Sequence, residues 1–285
     1  MRTVKSDRLL GVDREHSPSG NRVKALSPRF KFGLLATAAL ATVTLIFVKR
    51  MKQPGEYHLF ADTRTCLDIP NFFNVASNFG FAVVGVGALA WLFMRRATLS
   101  KTFIERGELW ICVALYASTF LVTFGSAYYH LAPDNERLFW DRLPMALVAC
   151  AFVGSVFADR FGARAGTWAL AALLPVSLGA LIYWQSTFAP GPDNVWPYFV
   201  TLYGSLGFAL IAMALFSSRY THAHAAWVTL AIYAVAMAFD DQLDEELYAL
   251  GNLLSGHSVK HMLAAVALFW LAWGSFRIRR AKAGT

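Results

Sequence analysis

The sequence predicts an all-α integral membrane protein: a core of seven transmembrane helices preceded by one extra N-terminal transmembrane helix. Three observations carry this. Of 285 residues, 56% are hydrophobic and 15% charged, whereas a soluble domain has roughly 25% charged residues. The mean hydropathy is +0.44, and the charges gather between long apolar runs. Eight such runs approach the ~20 residues that a helix needs to cross the hydrocarbon core. They cover about 32–48, 71–94, 109–130, 141–158, 166–185, 197–216, 224–239 and 258–276. The links are short, so the runs form one helical bundle.

Each element follows in order. Residues 1–31 carry eight Lys and Arg against Asp7, Asp13 and Glu15, with Pro, Ser and Gly between. Such a stretch buries too little apolar surface to offset its ordering entropy, so a mobile cytoplasmic tail is expected. The run 32–48 ends in Lys49-Arg50-Met51-Lys52 with no A-x-A-like site, which favours an uncleaved helix over a signal peptide. The core is placed at 56–276. Its first helix, 71–94, sets Asn71, Asn74 and Asn78 on one face. Interhelical hydrogen bonding is the commoner role for such amides, and lining a substrate cavity is the functional alternative. The run 109–130 closes on Ser126 and His130. The run 141–158 opens on Asp141, with Pro144 expected in its first turn, where proline costs little. Pro175 in the run 166–185 can kink that helix, since neighbours can satisfy the freed carbonyl.

The last two core helices follow the runs at 197–216. His222 and His224 lead into the run 224–239 and read as interfacial. Asp240, Asp241, Asp244, Glu245 and Glu246 read as a solvated loop, or as an attractor of an amine head group or a cation. His257 and His261 open the run 258–276, and 277–285 is a short basic tail. Trp91, Trp110, Trp140, Trp184, Trp196, Trp270 and Trp273 lie near run ends, as in an aromatic belt. Cys66, Cys112 and Cys150 form no CxxC pair, and the last two read as small packing residues.

Lys and Arg concentrate on the cytoplasmic side of membrane proteins. With eight crossings, the N-terminal tail, the links 95–108, 159–165 and 217–223, and the C-terminus share the basic side. The opposite side holds Asp134, Glu136, Asp193 and the acidic stretch, although Lys49, Arg50, Lys52, Arg64 and Arg137 fall against the rule. Both termini are therefore expected to be cytoplasmic. The net charge of +8 is explained by topology, and no nucleic-acid partner is expected.

That alternation puts His130, His257 and His261 at one face of the membrane, the non-cytoplasmic one. Residues four apart share a helix face, so His257 and His261 can point at one ion. A third imidazole leaves one tetrahedral position for water, which marks catalytic rather than structural zinc. Ser126 lies one turn before His130, and Asp141 follows after a short link. A carboxylate beside such a water can hold it or take its proton. Each residue alone has a plainer reading. The histidine pair can be a polar interfacial turn, Asp141 a helix N-terminal charge favoured by the macrodipole, and Ser126 a packing residue. Their arrival at one depth is the signal, since ionisable groups there are costly.

Ser126-x-x-x-His130, Asp141-Arg142-Leu143-Pro144-Met145 and His257-x-x-x-His261, together with Asn71-Phe72-Phe73-Asn74-Val75-Ala76-Ser77-Asn78, resemble the alkaline ceramidase family. That family belongs to a larger superfamily of seven-helix membrane hydrolases and receptors. The resemblance implies zinc on His130, His257 and His261, with Ser126 and Asp141 orienting the water and the developing oxyanion. It implies hydrolysis of a membrane lipid amide, ceramide or a related N-acyl lipid, to a fatty acid and an amine-bearing lipid. The animal ceramidases also bind calcium through an acidic cluster at the first core helix. Asp62 and Asp68 are near, but Asn71 stands where the family has Glu, which counts against Ca2+ here. Three other readings are a receptor or haemolysin-type member without turnover, a cytochrome with haem between His130 and His257 or His261, and a proton or ion transporter. The sequence gives no oligomeric state.

Overall fold

A computed structural model describes residues 26–188, 193–221, 223–278 and 280–283. The expected tail therefore lies outside the described residues up to position 25, as does His222. The chain is overwhelmingly helical: α1 (Pro28–Ile46), α2 (Phe72–Ala76), α3 (Phe79–Met94), α4 (Gly107–Leu131), α5 (Asn135–Phe161), α6 (Ala163–Ser186), α7 (Trp196–Leu215), α8 (Ala225–Gln242), α9 (Asp244–Ala249) and α10 (Gly256–Trp273). A single π turn, Gly274–Ile278, prolongs α10.

Seven spans are long and apolar enough to cross a membrane: α1, α2 with α3, α4, α5, α6, α7, and α10 with its π turn. Eight were expected. The helix at the eighth position, α8, exists but ends on Asp240-Asp241-Gln242, and this polar end keeps it outside that set. The protein is a multi-pass all-α membrane protein.

α1 starts four residues earlier than the apolar run because Ser27 caps it and Pro28 occupies its first turn, where a missing N–H is harmless. It lies against α7, and its Leu45 carbonyl accepts a hydrogen bond from Trp196 Nε1 at 2.7 Å. α5 is the axis of the bundle, packed by α4, α6 and α7. It begins six residues before the expected start, capped by Asp134, whose carboxylate accepts from the Arg137 N–H at 2.7 Å. Asp141 is therefore well inside the helix and not at its head, which removes the macrodipole explanation for it. Pro144 likewise lies in the helix interior and not in the first turn. It leaves the Trp140 carbonyl without its helical N–H. Gly125 of α4 packs against that carbonyl, and a Cβ there would collide with it.

Buried apolar side chains form two main clusters along the bundle. One, around Tyr116, Phe152 and Phe276, fills the end where α4 begins and α10 finishes. The other, around Tyr129, Leu138, Trp184 and Tyr198, fills the opposite end. Trp184 is fully buried there, so it belongs to the core and not to an interfacial belt. Cys112 and Cys150 are buried, as packing residues should be.

Candidate metal centre

At the end where α4, α6 and α8 finish and α5, α7 and α10 begin, three histidines converge. Their ring centroids are 4.7 Å apart for His130–His257 and His257–His261, and 5.1 Å for His130–His261. All three are buried, and one ligand nitrogen from each lies within 4.8 Å of the others. Among the described residues no other group of three His, Cys, Asp or Glu could hold a metal.

The hydrogen bonds around the rings fix which nitrogens are bare. His257 Nδ1 lies 2.5 Å from Asp240 Oδ1. A carboxylate only accepts, so Nδ1 carries the proton and Nε2 keeps its lone pair. Ser77 Oγ donates to the Asn74 carbonyl at 3.2 Å and lies 2.9 Å from His261 Nδ1. Its proton being used, it accepts from Nδ1–H, and His261 Nε2 is bare as well. Such outer partners hold metal-binding imidazoles in the ligating tautomer. His130 Nε2 faces His257 Nε2 at 3.1 Å, close to the roughly 3.3 Å that two nitrogens keep on one tetrahedral zinc. The donor set fits a three-histidine metal site. It does not fit a haem, because rings this close leave no slot for a macrocycle between them.

The supporting frame comes from three places. Asp244 of α9 ties the centre to the preceding loop: one oxygen accepts from the His257 N–H at 2.7 Å and the other from the Ala61 N–H at 3.0 Å. Gly256 allows this, since a Cβ there would run into the Phe239 carbonyl and the Asp244 backbone. Phe60 covers the histidines edge-on, 4.8 Å from His130 and 4.5 Å from His257. Lys260 pairs with the second oxygen of Asp240 at 2.8 Å. The acidic stretch is thus not a loop: Asp240 and Asp241 end α8, Asp244, Glu245 and Glu246 form α9, and Asp240 is a buttress of the site.

The other expected site residues divide. Ser126 and Asp141 are buried side by side on the cavity wall, and the Ser126 hydroxyl is a hydrogen-bond partner of the Asp141 carboxylate. Asn71, Asn74 and Asn78 do not line the cavity. Asn71, in a left-handed conformation at φ 49°, donates to the His130 carbonyl at 2.8 Å. Asn74 accepts from Ser258 Oγ at 2.8 Å and donates to the Asp62 carbonyl at 3.1 Å, and Asn78 donates to the Asn74 carbonyl at 2.8 Å. They brace the helices that carry the histidines. The Asp62 carboxylate is taken by Arg64 at 2.6 and 2.8 Å. Burial would push this carboxyl up, but the guanidinium beside it holds it below the usual carboxylate range. The Asp62 carboxylate and the Asn71 amide are thus both engaged within the protein.

No family model matches the chain, and no curated protein matches it.

A cavity of about 160 Å³ opens from the histidines. Its walls pass from mainly polar near the histidines to mainly apolar farther along the bundle, with Thr229 on α8 a polar exception. On α5 the lining passes from Asp141 and Arg142 to Met145, Ala149 and Phe152; on α7 from Tyr198 to Leu206; on α8 from Asp240 through Tyr233 to Leu230; and on α10 from His257 and His261 to Ala264 and Leu268. α7 and α8 are consecutive in the chain yet hardly touch, and Tyr203, which lines the cavity between them, is 49% exposed.

Proposed function

We propose that this protein is a metal-dependent amidohydrolase of membrane lipids, with zinc as the metal and a fatty acid and an amine-bearing lipid as products. The observation that supports it is three buried imidazoles, at least two with bare Nε2 atoms, at the polar end of a cavity that continues as an apolar channel. A head group at the polar end and an acyl chain at the apolar end would bring a scissile amide beside the histidines.

His130, His257 and His261 would hold the ion. A zinc ion bound there supplies a Lewis acid for the carbonyl and a water whose pKa falls toward neutrality. The chain's own groups do the rest. Asp240 and Ser77 hold Nδ1–H of His257 and His261 and so keep the rings aimed. Asp141 offers a carboxylate oxygen to take a proton from the attacking water and return it to the leaving nitrogen. Ser126 Oγ–H is placed to steady either that carboxylate or the developing oxyanion. Phe60 and the aromatic wall keep bulk water out of the site. If α8 also crosses, making eight passages, the distribution of Lys and Arg favours cytoplasmic termini and a centre on the other side.

The test is fatty-acid release from ceramides and other N-acyl lipids by detergent-purified protein, with a metal assay on the same sample. Release that stops with a chelator and returns with zinc, at about one zinc per chain, is expected. Asp141→Asn should lower turnover by about 10²–10⁴-fold without lowering zinc content. Protein that contains no zinc and hydrolyses none of these lipids overturns the proposal.

A further inference from the structure

Arg142 has no part in the chemistry above, yet it lines the same cavity one position after Asp141. It is 2% exposed, and among the described residues no carboxylate forms an ion pair with it. Its Nη2 donates to Gln53 Oε1 at 2.7 Å. Gln53 is itself anchored, because its backbone N–H donates to the Asp193 carboxylate at 3.1 Å. The rings of Trp184, Tyr198, Phe199 and Tyr57 surround the guanidinium carbon at 4.4, 5.0, 5.1 and 5.2 Å. Ring faces offset part of the charge but supply no oxygen. Nη1 remains buried without a hydrogen-bond partner, and a buried charged donor left unmatched is costly. One prong of a rigid fork is pinned and the other is bare. That is a preorganised acceptor of a planar anion.

The charges around the cavity give the sign of the missing partner. Two cations line it. Lys260 is paired with Asp240, and Asp240 also serves His257. Asp244 gives both oxygens to backbone N–H groups. Of the two carboxylates that line the cavity, Asp240 is thus committed and Asp141 accepts from Ser126; among the described residues the Arg142 guanidinium has no carboxylate partner, so an anionic head group finds Nη1 bare.

We propose that Arg142 Nη1 receives a carboxylate on the amine half of the ligand, so that N-acyl amino acid lipids are preferred over neutral ceramides. Such a lipid carries its carboxylate one carbon from the amide nitrogen, and Arg142 and Asp141 line the same cavity. The assignment of this ligand as substrate rests on the hydrolase reading; the binding preference does not.

The experiment separates the two. Titration calorimetry on the full-length protein in detergent uses a pair of ligands that cannot be hydrolysed. One is the keto acid in which CH2 replaces the amide NH of N-dodecanoylglycine; the other is the corresponding keto alcohol. The wild type should bind the acid about 10- to 100-fold more tightly, the range of a charge-assisted hydrogen bond, and Arg142→Gln should remove the difference. Equal binding of both ligands by the wild type overturns the inference without any variant. A preference that survives in Arg142→Gln also overturns it, since the carboxylate would then sit elsewhere, on the metal for example. Release of dodecanoate from N-dodecanoylglycine is followed in parallel. Arg142-dependent binding without release keeps the inference and removes the hydrolase reading, whereas release without a binding preference does the reverse.

Discussion

Both ends of the bundle bury charge, and they use it differently. Where α5 ends, Asp159 pairs with Arg160 and accepts from the Ser218 hydroxyl at 2.8 Å. Glu105 pairs with Arg219 at 2.5 Å, and Tyr220 donates to Glu108 at 2.6 Å. Each carboxylate there meets a donor from another loop, and the result ties the links between helices. At the histidine end the side chains are also braced, but the bracing stops one atom short. Among the described residues the Nε2 atoms of His130 and His257 meet only each other, and His130 Nδ1 and Arg142 Nη1 have no hydrogen-bond partner. Burial and charge alone therefore do not mark a functional site. What sets the histidine end apart is that three imidazoles and an arginine converge on one cavity.

This contrast can be broken by mutation. His261→Ala should abolish metal binding outright, from about one ion per chain to none by metal analysis; retention of the ion would remove the centre. Asp240→Asn takes away the charge that holds His257 Nδ1–H and pairs with Lys260, and should weaken the metal by about 10- to 100-fold in chelator competition. Ser77→Ala, which removes a neutral acceptor from His261, should fall at or below the lower end of that range. Asp159→Asn at the far end should leave metal content unchanged and instead destabilise the fold, by roughly 3–5 kcal/mol for a broken buried pair, read as a lowered midpoint of thermal unfolding. If it depleted the metal, the two ends would not be independent.

The smallest effect concerns the covering loop. Arg64 keeps the Asp62 carboxyl low, so its stabilisation is present above about pH 4 and is lost only as pH falls through the lowered value. Amide exchange across residues 59–71 should therefore be insensitive to protonation of Asp62 between pH 7 and pH 5, once corrected for intrinsic rates. Arg64→Ala should speed it at every pH in that window.

The helices were legible in the sequence because hydrocarbon demands length and apolarity, and both are local properties. The three histidines were legible because spacing of four on α10 is local, and the end of α4 lies at the same depth by simple alternation. Asp240 was not, since its role depends on α8 packing beside α10, and its neighbours Asp241 and Asp244 make it look like part of a solvated run. Ser77 is one serine in an apolar helix and has no signature until His261 is seen beside it. The asparagines on α2 and α3 showed their common face but not its direction, which turns on the left-handed residue at Asn71 and the hydrogen bonds it aims. Trp184 read as interfacial, and Arg142 stood only as one position of a motif; the packing of α5, α6 and α7 makes them one buried stack.

The seam between α7 and α8 has a kinetic consequence. If the cavity opens along this seam into hydrocarbon, its ligand comes from a two-dimensional solvent. Occupancy then follows the mole fraction of the lipid in its leaflet and not its amount per volume of suspension. Diluting a lipid amide with inert phospholipid at constant bulk concentration should slow its capture in proportion, while diluting the vesicles themselves should leave each protein's rate unchanged.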